Sequence, residues 1–496
     1  MRKKHVNPTV ILRGATILLA ILVMACGLTQ GRSQSSNQIP QPGQVVVTSP
    51  VQLAATEAGS SLANPSNSNP TEPLVKPPVL PSNSGALLCT DVQPPLITGT
   101  ELFQSPVLAE PQARIPFRDP TFGTCLVRVT DRNVDLATDD DSAGMVNEYS
   151  RVQSFNADGT RLIARSTDTN WYLYDAQSLK PLGNLPGVGI DPRWDGTNPE
   201  ILYYIDGTQL MSYNVNSHQP TLVHEFSANF PGQTLVNVWS RYEGSSSLDS
   251  RYWGFMAMDT DYLAIALLTY DKQNDQIIGQ RDLPHIEELD SVTISPLGDY
   301  FLGFFNYCEQ GQLGTLEHPC GLMVYDRTLQ NGRGMLRLIG HNDIALDADG
   351  KEVLVFQNID TDFISVLDLS SGQVWDLMPI DFSHSAIGFH FSGRSFSQPG
   401  WAVISTYNGS YPQNTNWMDN SIFAVELNDG GRVVRLAHTH SVYTENVEQD
   451  YWAEPHASAN PDLTRIVFTS NWGRSGTDAT DLYMIQLPGG WIETLE

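Results

Sequence analysis

Short runs of alternating or continuous apolar residues recur along most of this chain: Arg161–Ala164, Ile201–Ile205, Trp253–Ala257, Tyr300–Phe305, Val353–Phe356, Trp401–Ser405 and Arg465–Ser470. Turn-forming stretches such as NADGT, SPLGD, DADGK and NPDLT precede them, and a second apolar run follows each, as in WYLYD, GLMVYD, FISVLDL and DLYMIQL. No long amphipathic helical pattern interrupts the series. Strand-like segments separated by turn chemistry predict an all-β fold. Equivalent runs recur about every 40 to 65 residues, which suits a unit of four short strands and predicts a β-propeller. Seven blades are counted, starting near Val152, Asp191, Asn237, Ser291, Ile344, Phe389 and His456, with six or eight as the alternatives. The segment TCLVRVTD (124–131) reads as an outer strand with no inner strands before it, so it is expected to complete the last blade and close the ring. The tripeptides beginning at Asp168, Asp259 and Asp360 fall between the second and third strands of their blades, where Asp-Thr-Asp/Asn is good turn chemistry.

The first 86 residues follow a different pattern. Residues 1–25 combine a basic start, a short apolar run and a small residue at the expected cut, which describes an export signal. Cys26 directly after Ala25 resembles a bacterial lipobox, which implies lipidation of Cys26 and anchoring of the exported protein to the cell membrane, with plain secretion as the alternative. Residues 26–86 are rich in Ser, Pro and Asn and too poor in apolar groups to offset ordering entropy, so they are expected to be a flexible tether to a propeller spanning 87–496.

The net charge of −27 becomes −27 − 4 = −31 once Arg2, Lys3, Lys4 and Arg13 leave with the signal. That balance argues against nucleic acid as a partner and limits membrane contact to the anchor. Four cysteines remain besides Cys26, an even number that suits disulfides in an exported protein. Cys308–Cys320, across a loop between two apolar runs, and Cys89–Cys125, tying the leading segment to the domain, are the expected pairs.

Propeller geometry brings residues just ahead of each inner strand to the mouth of the central channel, a natural place for a ligand site. Those positions hold Arg151, Arg193 with Trp194, His341, His384 with His390, and Glu454 with His456. Imidazoles and carboxylates converging there suit a divalent ion such as Mn²⁺ or Zn²⁺, with Ca²⁺ a harder alternative, and His341, His390, Glu454 and His456 are the candidate ligands. Arginine and tryptophan beside them suit a carbohydrate or other polar ligand. No nucleophile elbow, phosphate-binding glycine loop or helical HExxH is present.

The stretch EPHASANPDLTRIVFTSNWGRSGTDATDLYMIQLP resembles the last blade of oligogalacturonate lyase-like propellers, and the repeated turns are shared with TolB-type propellers. In those lyases a Gln-x-x-His-x-His run and an earlier histidine bind a divalent metal. Here His456 matches the second histidine, Glu454 stands at the first, and Tyr451 falls at the glutamine. The resemblance implies the fold and the place of a site. The sequence points first to a cell-surface binding module for a carbohydrate or another polar ligand. A metal-assisted polysaccharide lyase and a scaffold for a surface protein are the alternatives.

Overall fold

The computed structural model describes residues 88–90, 93–286, 289–383, 387–444 and 447–495. The expected signal segment, Cys26 and the tether lie outside these residues, as does His384.

Among the described residues the strands form seven antiparallel sheets, one per blade. Blade 5 is the plainest: Asn342–Leu346, Glu352–Asn358, Phe363–Asp368 and Val374–Pro379 pair in succession. In blades 5 to 7 the first strands neighbour one another, Asn342–Leu346 beside Gly388–Ser392 and the latter beside Ser458–Ala459, so these first strands line the ring's interior. Seven is therefore the blade number. In blade 1 the innermost pairing starts earlier than expected, at Met145–Val146, and the stretch near Val152 adds only an isolated bridge from Phe155 to Leu162.

The turn signals act as local chemistry dictates. The hairpin after each of four inner strands places its last turn residue in the left-handed region: Gly159 (φ +67°), Gly298 (φ +78°), Gly350 (φ +80°) and, in blade 7, Leu463 (φ +56°). A leucine is tolerated there because its side chain is fully buried in the apolar cluster that also holds Trp401, Trp472 and Trp491, and the burial offsets the strain of its backbone. Apolar faces of adjacent blades interlock in the same way around the ring. One cluster joins Val127 and Val129 to Leu162 and Tyr174 of blade 1 and Val467 and Met484 of blade 7.

The ring closes as the sequence predicts. Cys125–Arg128 pairs antiparallel with Asp481–Gln486 as the fourth strand of blade 7, and Phe117–Arg118 adds a fifth. Ile97–Thr98 adds a fifth strand to blade 6 against Val433–His438. Both expected disulfides form, Cys89–Cys125 and Cys308–Cys320. Disulfides of this kind are consistent with an extracytoplasmic protein. No described helix is long and apolar enough to cross a membrane.

Candidate functional site

Two adjacent inner strands build a compact polar cluster. His390 lies within Gly388–Ser392 of blade 6, and its buried ring donates from Nε2 to Oε2 of Glu454 at 2.9 Å. Glu454 follows the short 3₁₀ turn Glu448–Ala453 that leads into blade 7. Two residues on, His456 reaches the same oxygen from its Nε2 at 3.2 Å. One donor atom from each of the three side chains lies within 4.8 Å of the others.

The backbone is bent to achieve this. His456 has φ +42°, an unfavourable value for a residue with a Cβ. It is held there because its carbonyl accepts from Nδ2 of Asn147 at 2.6 Å, the next N–H donates to Oγ of Ser405 at 3.0 Å, and the carbonyl of Pro455 accepts from Thr469 at 2.8 Å. Strain that the surroundings over-determine in this way is common where side chains must be aimed.

Further aromatic groups enclose the cluster. The ring of His341 from blade 5 lies 4.9 Å from that of His390, and its Nδ1 is 3.4 Å from the hydroxyl of Tyr149. Tyr149 from blade 1 also meets His456 edge-on at 4.6 Å. Tyr407, at the end of the second strand of blade 6, stacks on His390 at 5.2 Å and hydrogen-bonds Glu454 through its hydroxyl. Beside Tyr149, Arg151 forms a 2.7 Å ion pair with Glu243.

Burial dominates the electrostatics. It pushes His390 well below the usual imidazole range and His341 down to about 4, so both rings are neutral at pH 7. Burial opposes ionisation of Glu454 too, but the hydrogen bonds from His390 and His456 reverse the effect and hold its carboxyl well below the ordinary range. Burial lifts Glu243 to about 7 against the pull of Arg151.

These donors fit a divalent transition metal. Two imidazoles, one of them kept neutral by burial, and an ionised carboxylate match the borderline preferences of such ions. The 2.9 and 3.2 Å separations also suit neighbouring ligands: two donors each ~2.1 Å from an ion and at right angles lie ~3 Å apart. His390, Glu454 and His456 would hold the ion, with His341 beside them. Tyr451, at the position of the lyases' glutamine, packs against Trp452 at 5.0 Å.

Two expected mouth residues lie elsewhere. Arg193 and Trp194 do not join the histidine cluster. They line a cavity with Arg394, Phe396 and Pro461, residues that follow the inner strands of blades 6 and 7 rather than precede them. The reason is register: Arg193 and Trp194 end the inner strand Ile190–Trp194, so they sit at its far end. Arg151 stays near the cluster through Tyr149, and Tyr407 and Glu243 join the site unforeseen. Tyr407 reads as one more apolar residue in WAVISTY, and Glu243 falls in the connection after Trp239, where sequence offers no positional rule.

No family model matches the sequence, and no curated protein does. Among solved structures, an oligogalacturonate lyase in complex with manganese aligns with 80% of this chain and 98% of its own at 17% identity and a TM-score of 0.52. An oligogalacturonate lyase from Vibrio parahaemolyticus aligns with 76% of this chain and 97% of its own at 13% identity and a TM-score of 0.52. The likeness establishes the fold as an oligogalacturonate lyase-like β-propeller.

Proposed function

We propose that this propeller binds an acidic saccharide, of the uronate type, through a divalent transition metal held by His390, Glu454 and His456. The observation that carries this reading is the convergence of both imidazoles on one carboxylate oxygen, at separations an ion needs. The fold likeness to a lyase crystallised with manganese supports it. Bound there, the ion would supply positive charge for a sugar carboxylate. The chain's own residues shape the rest: Tyr149 and Tyr407 wall the ligands, and Arg151, balanced by Glu243, adds a cation nearby. The reading places the domain outside the cell, tethered through lipidated Cys26.

The test is elemental analysis of purified protein followed by calorimetry with galacturonate oligomers, with and without chelator. Binding that needs the metal and disappears in His456→Ala supports the proposal. Metal-free protein that cannot be loaded, or binding indifferent to chelation, defeats it.

His341 favours a second reading, metal-assisted β-elimination. Its neutral imidazole adjoins the cluster and is in the right protonation state to take the proton next to a uronate carboxylate. Cleavage would then expel the glycosidic oxygen from the neighbouring carbon and leave a carbon–carbon double bond. New ultraviolet absorbance on mixing with a uronate polymer, lost in His341→Ala, distinguishes elimination from binding alone.

A further inference from the structure

The cavity that receives Arg193 and Trp194 is separate from the histidine cluster in both position and chemistry. It has a volume of about 90 Å³, and blades 1, 2, 3, 6 and 7 all contribute to its wall. Two buried arginines from different blades, Arg193 and Arg394, line it.

Their charges are unequally compensated. Arg394 grips Asp343 with Nε at 3.0 Å and Nη2 at 2.5 Å, an ion pair of good geometry. Arg193 has no such partner. Its Nε, Nη1 and Nη2 donate to the carbonyls of Gly244 (2.7 Å), Pro192 (3.0 Å) and Tyr242 (2.7 Å), which are neutral. The nearest carboxylate, Asp191, stands off at 3.9 Å. Burial pushes Asp191 up, weakening it as a counter-charge, and pushes Arg193 down, with Arg394 adding repulsion. The one carboxylate in the cavity wall, Asp195, is already engaged by Lys272, Thr197 and Asn198.

A buried cation held mainly by carbonyl dipoles is expensive unless an anion joins it. Three of the five N–H groups of the Arg193 guanidinium are used, and Nη1 of Arg394 makes no hydrogen bond to the described residues, so donors remain for a guest. The hydroxyls of Ser245 and Ser246 lie in the same wall, and Phe396 and Trp194 give it an apolar side.

The geometry points to a second ligand site, for a small oxyanion such as phosphate or a short carboxylate, held between Arg193 and Arg394 at the end of the channel away from the histidine cluster. The volume suits a small anion of a few heavy atoms. Guanidinium groups recognise both oxyanions through paired N–H donors, and hydroxyls supplement them.

The experiment titrates the folded protein with inorganic phosphate and, separately, acetate by calorimetry at constant ionic strength. Saturable binding of at least one is expected. Arg193→Met should weaken it at least tenfold, and Ser246→Leu, which fills the cavity while keeping both arginines, should abolish it. His456→Ala should leave it unchanged. If Arg193→Met does not fold, the serine variant decides. No saturable binding of either anion to the wild type, or equal binding in Ser246→Leu, overturns the proposal. Loss of binding in His456→Ala would overturn it as well, by assigning the anion to the histidine cluster. Phosphate binding alone identifies a phosphate receptor, and acetate binding alone a carboxylate receptor; either supports the site.

Discussion

His390 and Glu454 are 64 residues apart in sequence and meet at 2.9 Å, the imidazole Nε2 donating to a carboxylate that His456 also engages. The contact spans two blades, so it forms only when the ring is assembled. It leaves Glu454 ionised in a buried place where burial alone would favour the neutral acid.

Glu454→Gln should reduce Mn²⁺ or Zn²⁺ affinity by more than a hundredfold, because the amide removes the negative charge that balances the ion. Tyr407→Phe should reduce it by about tenfold, since the hydroxyl only steadies the carboxylate and the ring can still stack on His390. Calorimetric titration of the metal-stripped protein measures both. Equal affinities in Glu454→Gln and the wild type would remove Glu454 from the ligand set.

Acid should destabilise the fold through buried histidines outside the site. His440, stacked on Trp472 at 4.2 Å, is held down to about 4 by burial. The folded value lies below the ordinary 6.5, so this ring's contribution is complete above pH 6.5 and is lost as pH falls toward 4. The loss for this group is on the order of 3 kcal/mol. His440→Phe keeps the stacking and removes the titration. Its melting temperature should therefore fall less than the wild type's between pH 7 and 5, and parallel curves would refute the assignment.

Glu352 runs the other way. Burial raises it to about 7, and the N–H of Leu297 donates to its Oε1 at 2.5 Å. A folded value above the ordinary 4.5 means that its contribution is complete below pH 4.5 and is lost as pH rises to 7. Glu352→Gln retains an oxygen for Leu297 and carries no charge. The variant should gain on the wild type, by up to ~3 kcal/mol in unfolding free energy, as pH rises from 4.5 to 7. Denaturant melts at pH 5 and 8 provide the comparison.

The propeller was legible in the sequence because its signals are local. Alternation, the NADGT and DADGK turns and the unpaired TCLVRVTD strand each report on a few neighbouring residues, and the blade count follows from their spacing. Half of the site was legible by the same logic: His341, His390, Glu454 and His456 all lie on inner strands or just ahead of them, and the structure gathers them. Arg193 and Trp194 were misplaced because position relative to a strand's start matters by only three or four residues, finer than pattern alone resolves. Tyr407 was invisible because a tyrosine ending a buried strand looks the same whether its hydroxyl meets solvent or a carboxylate.

The two disulfides should differ in what they protect. Chain entropy gives about 4 kcal/mol for Cys89–Cys125, with a separation of 36, and about 3 kcal/mol for Cys308–Cys320, with a separation of 12. Loop length alone thus separates them by only about 1 kcal/mol. Position adds to the difference. Cys125 begins the strand Cys125–Arg128 that pairs with Asp481–Gln486 and closes the ring, whereas Cys308 and Cys320 bracket a loop between two strands of blade 4. Replacing Cys89 and Cys125 with serine should therefore lower the melting temperature more than replacing Cys308 and Cys320. It should also raise hydrogen exchange at alternate amides along Asp481–Gln486, those that face the closing strand. If the two double variants melt together and Asp481–Gln486 stays protected in both, the bond at Cys125 is not what holds the ring shut.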